Sequence, residues 1–319
     1  MQERYFYHSF PRRGGDLPTA INKGCKILSA IRDFGLVLMP EYIEWKQPCA
    51  DDSERIFPVL QKRVCFTELS PSELPNHSKK FGDFALEFDI DTLRRLGAIP
   101  VFYIPQPTVQ ADGNALGVAL LGIAMDASVV VNRLSALDQV INGPAPVPDQ
   151  LEFNVQFARS PNGNGTYPIN SAETRNLLRA IGHQTTPWAP LHAGMQALLN
   201  FFYPADNINR DKALEYYRQR EWRIACAFAI NGRDVLREPT TTEKEQLLEI
   251  DRDFFARKLR IDLGKVEVLN SVLICSGING QKLIEMVRRV IVPPAAVSRA
   301  TAILSSLSNP PQVISILSI

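Results

Sequence analysis

The chain has 319 residues, 45% of them hydrophobic and 22% charged, which excludes a disordered or fibrous protein and leaves room for one large domain or two modest ones. Lys+Arg 35 against Asp+Glu 34 gives a formal net charge of +1, so no global field draws the protein to nucleic acid or to an acidic membrane surface. Five cysteines (Cys25, Cys49, Cys65, Cys226, Cys275) form no CxxC pair, and with no basic-then-apolar leader in MQERYFYHSFPRRGG they point to free thiols and a cytoplasmic location.

Tyr5 to Phe10 alternates as a strand and ends in the basic turn Pro11-Arg12-Arg13-Gly14-Gly15. Leu17 to Phe34 carries Ile21, Ile27, Leu28 and Ile31 at helical spacing, with Gly35 as its C-terminal stop. Leu36 to Met39 starts a short extended segment, residues 48–54 form a polar loop, and Arg63 to Glu68 resumes as a short strand closed by Ser70-Pro71. A short helix carrying His77 is predicted between Glu73 and Lys80, then a strand over Phe84–Phe88, a brief helix over Asp91–Leu96 and a strand over Pro100–Ile104.

A Pro/Gly loop from Pro105 to Asn114 leads into a long apolar helix ending near Ile141. Asp126 interrupts its uncharged run well short of the ~20 apolar residues of a membrane span, so it reads as a buried helix. Leu151, Phe153, Val155 and Phe157 alternate as a half-buried strand, and helices follow over Ala172–Ile181, Leu191–Phe202 and Asp211–Arg218. The stretch from Glu215 to Phe228 turns helix into strand, with Glu221, Arg223 and Ala225 on one face and Trp222, Ile224 and Cys226 on the other. A threonine-capped helix from Thr242 to Lys258, a strand from Val266 to Cys275, a helix from Gly277 to Val290 and a closing strand from Val313 to Ile319 complete the chain.

The sum is an α+β protein: a split, mixed or antiparallel sheet of short strands with surrounding helices. Residues 1–104 and 211–319 supply the two halves of that core, and residues 105–210 a mainly helical insertion.

Motif by motif, Gly113-Asn114-Ala115-Leu116-Gly117 and Gly163-Asn164-Gly165 fit neither a Walker A loop nor a dinucleotide fingerprint. There is no HExxH, and His8, His77, His183 and His192 are scattered, so no metal is predicted. No GxSxG supports nucleophilic hydrolysis. The polar groups beside short strands are His8, Thr67 with Glu68, His77, and Glu221 with Arg223. Taken singly, His8 reads as a core histidine satisfied by one backbone bond, His77 as a surface helix residue, Thr67 as an ordinary strand residue, and Glu221–Arg223 as a solvated ion pair.

Five segments occur in order: YHSF at residues 7–10, the helix ending at Gly35, VCFTELSPSELPNHSKKFGDFALEFD at 64–89, GAIPVFYI at 97–104 and YYRQREWRI at 216–224. Together they resemble the abortive phage resistance proteins of the AbiGi type and the related DUF2971-like group. More distantly, these resemble the ADP-ribosyltransferase fold, including DNA-modifying toxins of the DarT type. The resemblance covers most of residues 5–104 and 211–291.

What the resemblance implies is an NAD cleft with Glu221 and His8 as its catalytic pair, His8 holding the adenosine ribose. Thr67 and His77 would line the nicotinamide side, with Tyr7, Ser9 and Arg223 also cofactor-binding. Breaking the nicotinamide N-glycosidic bond builds positive charge on the ribose, which a fixed carboxylate stabilises. Arg223 would hold Glu221 ionised or meet a pyrophosphate bidentately.

The implied function is an NAD-dependent ADP-ribosyltransferase-like effector of antiphage defence, with NAD as substrate, a nucleic-acid or protein acceptor, a cognate antitoxin or toxin partner, and no membrane. The alternative is a non-catalytic antitoxin or phage-sensing module on the same fold. A nuclease would need a carboxylate cluster for Mg²⁺, and none stands at suitable spacing.

Overall fold

The computed structural model describes residues 4–12, 16–48, 54–105, 116–156, 164–182, 188–205, 220–225, 229–230, 233–234, 236–261 and 264–319. Within them the protein is a mixed α+β structure. The main sheet contains β1 (Tyr5–Phe10), β2 (Leu36–Pro48), β3 (Glu54–Leu69), β4 (Phe84–Phe88), β5 (Ile99–Pro100) and the Glu221–Ala225 strand. The strand β3 carries β10, as the Glu221–Ala225 strand is called after β6 (Phe102–Pro105), β7 (Gln150–Gln156), β8 (Asn164–Asn170) and β9 (Phe202–Ala205), on one edge. Its other edge takes β2 and then β1, and β4, the Arg289–Val292 strand and the Gln312–Ser315 strand continue outward from β1. All pairs are antiparallel except that of the last two strands, which is parallel, so the sheet is mixed.

One face of this sheet carries the main core. Phe6, Phe10, Phe66, Phe84, Leu86, Phe88 and Ile224 pack there with Leu28 and Ile31 of helix α1 (Leu17–Phe34). Asp16 caps α1 by accepting from the Thr19 N–H, and Gly35 ends it at φ 109°, where a side chain would strike the Cys275 carbonyl. Gly24 faces the Phe84 ring so closely that no Cβ fits between them. The helix Val297–Leu304 lies against the same cluster. On the opposite face a smaller cluster of Tyr5, Tyr7, Leu69, Leu74, Ala85 and Ile291 packs beneath helix α2 (Leu74–Phe81).

Several expectations require correction. The extended segments at 36–39 and 63–68 are the ends of two long strands of 13 and 16 residues, paired from Met39↔Arg63 out to Pro48↔Glu54. Their sequence has little apolar alternation in the outer half, and the backbone ladder pairs regardless of side-chain pattern. Gly277–Val290 is no helix. Asn279 and Gly280 take φ of 54° and 81° between the short pairs Gly277–Ile278 and Gln281–Lys282, the chemistry of a tight hairpin. A 3-10 turn (Leu283–Met286) and a strand (Arg289–Val292) that finds its partner in β4 follow.

The helix expected over Thr242–Lys258 ends at Ile250, because Asp251 leaves helical geometry at φ −160° and caps the next short helix, Arg252–Phe255. The Val266–Cys275 strand is divided by a 3-10 turn at Val268–Ser271. The Pro100–Ile104 strand divides at Val101: β5 stays on β10, whereas β6 pairs in parallel with β9, where the end of a helix had been expected. The expected helix at Asp211–Arg218 lies outside the described residues, as do Cys49 and Cys226.

The chain forms two compact units, Met1–Ala119 with Ala197–Ile319, and Leu120–Gln196. The second holds most of α4 (Leu116–Asn142), the β7–β8 hairpin, α5 (Ser171–Gly182) and most of α6 (Trp188–Leu199), around Ile141 and Leu178. On α4, Ile123, Val129, Val130 and Val140 are exposed, so this helix is not apolar-buried all round. No helix among the described residues is long and apolar enough to cross a membrane.

Candidate functional site

Register decides which side chains meet. Glu221 pairs with Thr67, Thr67 with Tyr7, Tyr7 with Glu87, and Glu87 with Arg289. Directly paired residues project from one face, so these five make a polar row across five adjacent strands. It lies on the face opposite the main core. Two residues along β10 and β3 on the same face, Arg223 pairs with Cys65.

Glu221 is held from three sides. Arg223 Nε donates to Oε1 at 2.7 Å, Tyr103 OH donates to Oε2 at 2.7 Å, and the Cys65 side chain adds a third hydrogen bond. Burial alone would raise its pKa, but the Arg223 guanidinium and these donors outweigh it and hold the carboxyl below its ordinary value. The same neighbourhood works in reverse on the donors. Burial, with the Glu221 charge, pushes the Cys65 thiol up to about 12 and keeps Tyr103 protonated.

Arg223 is 1% exposed, so the expected solvated ion pair is instead a buried one. Its Nη1 donates to Gln61 Oε1 and to the Asn200 carbonyl, both at 3.2 Å, and its guanidinium lies 4.8 Å from the centre of the Tyr203 ring. Gln61 is itself fixed by donating to the Leu199 and Phe202 carbonyls at 3.0 and 2.8 Å. Arg63, paired with Gln61 and Glu41, stacks on the same Tyr203 ring. A guanidinium engaged in this way has no donor directed at solvent, and it acts as the orienting group for Glu221.

Glu221 is not sealed. With Glu68, Tyr103, Arg220 and Trp222 it lines a pocket of about 290 Å³ that Pro100 and Val101 complete. Beside it along the sheet face, His77 on α2 turns inward, not outward as a surface residue. Its Nε2 lies 3.1 Å from Thr67 Oγ1, its Nδ1 3.4 Å from Ser9 Oγ, and its ring stacks on Phe81 at 4.4 Å. Burial, with Lys80 nearby, lowers its pKa to about 4, so His77 is neutral at physiological pH.

His8 stands apart. Successive strand residues alternate in direction, and His8 projects to the face opposite Tyr7, Ser9, Thr67 and Glu221. Its ring packs 5.8 Å from Phe66 and 6.0 Å from Phe10, and Nδ1 bonds the Cys65 carbonyl at 2.9 Å. This carbonyl lies where β1 has stopped pairing with β3 and β2 has not yet begun. A cleft uniting His8 with Glu221 is therefore not formed, because the sheet runs between them. Tyr7 shares the face of Glu221, but its hydroxyl donates to Glu87 at 2.8 Å.

The structure thus gathers Glu221, Arg223, Thr67, His77 and Ser9 on one face and leaves His8 on the other. Sequence reading passed over Tyr103 and Cys65, although both lie inside segments that it singled out. Gln61 and Tyr203 carry no sequence signal, being placed by the long β3 strand and the β6–β9 pair. Among the described residues no three His, Cys, Asp or Glu side chains gather as a metal site requires. Comparison of the chain with protein-family models, with curated proteins and with solved structures gives no match.

Proposed function

We propose that the protein is an NAD-consuming, ADP-ribosyltransferase-like effector of bacterial antiphage defence that modifies a nucleic-acid or protein acceptor. Membership of the AbiGi-type, DUF2971-like group and a transferase-like core belong to this proposal and rest on the five ordered sequence segments. The observation that carries the chemistry is the ionised Glu221 carboxylate, oriented by Arg223 and Tyr103 at the wall of a pocket that Trp222 also lines. When the nicotinamide N-glycosidic bond breaks, its electron pair leaves with nicotinamide and positive charge develops on the ribose. A carboxylate already fixed and charged at that point stabilises the transition state without reorganising. The acceptor nucleophile then forms the new bond at the anomeric carbon and gives up its proton to solvent.

In this reading His8 makes no cofactor contact and serves to tie β1 to β3. Thr67 and the Ser9–His77 pair lie on the sheet face that Glu221 shares, outside the pocket lining. The test is incubation with labelled NAD and separate protein, DNA and RNA pools. Glu221→Gln is expected to lower label transfer by about a hundredfold or more, the range for loss of a preorganised electrostatic contact, while circular dichroism stays that of the parent. Unchanged turnover in Glu221→Gln would refute the assignment.

The second reading, a non-catalytic antitoxin or phage-sensing module, is favoured by a different observation. Both Glu221 oxygens already accept hydrogen bonds, and His8 is on the far side of the sheet. It predicts no NAD-dependent thermal shift and no label in any pool.

A further inference from the structure

Arg220 directly precedes Glu221 and lines the same pocket. Its backbone is held at φ 44°, in the left-handed region that an arginine rarely adopts, while its carbonyl accepts from the Glu68 N–H at 3.2 Å. Its Nε is buried and makes no hydrogen bond. Its Nη2 reaches Glu73 at long range, 3.4 and 3.5 Å. Glu73 is occupied elsewhere: it accepts from the Ser70 N–H and hydroxyl, both at 2.8 Å, and lies 3.6 Å from Arg4. A strained backbone, a buried donor without an acceptor and a loosely held guanidinium coincide in one residue at a pocket wall. Strain of this kind gathers at ligand-binding positions, and buried donors are normally satisfied.

We propose that Arg220 is the anion-binding residue of the Glu221 pocket and takes a phosphate group of the ligand. Its side chain is 34% exposed, and on turning from Glu73 the guanidinium brings Nε and Nη2 into the planar fork that matches two phosphate oxygens. Arg223, the other arginine considered for this role, is 1% exposed and engaged through Nε and Nη1 with Glu221, Gln61 and the Asn200 carbonyl. The carboxylates around the pocket have their own counter-charges. Glu221 is paired with Arg223, and Glu68 lies 4.0 Å from Arg4. Binding displaces Glu73 from a contact that it holds weakly. Naming the anion as the pyrophosphate of NAD rests on the function proposed above; the phosphate site itself does not.

Titration calorimetry with ADP-ribose, inorganic pyrophosphate and nicotinamide riboside, which lacks a pyrophosphate, tests the proposal. Arg220→Gln is expected to weaken ADP-ribose and pyrophosphate binding about tenfold or more and to leave nicotinamide riboside unaffected. Arg220→Lys recovers part of the loss. Arg220→Gly, which suits a positive φ, keeps the parent's Tm and binds as weakly as Arg220→Gln, which separates binding from folding. Glu73→Gln strengthens pyrophosphate binding.

Equal ADP-ribose affinity in the parent and Arg220→Gln, or no affinity of the parent for either anion, overturns the phosphate site. If the parent binds pyrophosphate through Arg220 but neither binds nor consumes NAD, the NAD reading fails and the phosphate site stands. If NAD is consumed with the same KM by Arg220→Gln, the reverse holds.

Discussion

Two glutamates on the same sheet face are built from the same parts and solvated in opposite ways. Glu87 receives the Tyr7 hydroxyl and both Arg289 Nε and Nη2, the latter two at 2.7 Å, and Arg288 approaches at 3.4 Å. Glu221 receives Tyr103 and Arg223. At Glu87 the carboxylate is 0% exposed while Arg288 and Arg289 reach solvent at 41% and 24%. At Glu221 the arginine is the sealed partner, at 1%, and the carboxylate keeps 13% at a pocket. The first arrangement spends the acid on bracing β4 against its neighbours. The second hides the guanidinium and presents the carboxylate at a pocket, which is the feature the proposed function rests on.

The sharpest way to break the comparison is Arg223→Ala. It leaves Glu221 buried without its counter-charge, so it is expected to cost about 3–5 kcal/mol of unfolding free energy, measured by urea denaturation. A loss below 1 kcal/mol would mean that Arg223 is not the anchor of this network. Glu87→Gln comes next, at about 2 kcal/mol, smaller because Arg289 can turn to water. If Glu87 is structural alone, label transfer from NAD per folded molecule stays at the parent's level, and a large drop would erase the distinction between the two glutamates.

Tyr103→Phe is expected to cost about 1 kcal/mol of stability, one net hydrogen bond. Its more telling effect is on pH. Tyr103 is one of the donors that depress the Glu221 pKa, so if the proposed NAD turnover depends on ionised Glu221, its loss is expected to move the acid limb of that profile to higher pH. An unmoved limb would show that Tyr103 does not act through Glu221.

His77 gives the smallest effect. Its folded pKa of about 4 lies below the ordinary 6.5, so the folded state binds fewer protons than the unfolded one between these values. Stability contributed by the neutral ring is present above about pH 6.5 and is lost as pH falls toward 4. In His77→Gln the drop of Tm over that window should be shallower than in the parent. An identical slope would indicate that His77 is not held neutral against the sheet.

Elements governed by local chemistry were legible in the sequence. Tyr5–Phe10, Leu17–Phe34 and Phe84–Phe88 have the predicted bounds, because alternation, helical spacing and a stop glycine act within a few residues. The length of the β2–β3 pair was not legible because its outer half has little apolar alternation, and the strand at Arg289–Val292 was not because its partner β4 lies in another part of the chain. The site divides in the same way. Period two placed Glu221 and Arg223 on one face, and that much needed no partner. That Arg223 is buried depends on Gln61, Asn200 and Tyr203, contributed from far away in sequence.

The sequence by itself thus determined which residues alternate, where α1 starts and stops, and that a carboxylate and a guanidinium share a strand face, all consequences of backbone period and local capping. Tertiary structure alone decided that His8 and Glu221 are on opposite sides of one sheet, that Tyr103 reaches Glu221, and that Arg220 and not Arg223 lines the pocket. The physical reason is register. A one-residue difference in pairing inverts every side chain, and register is set by hydrogen bonds between strands far apart in the chain, as Thr67 is from Glu221 and Glu87 from Arg289.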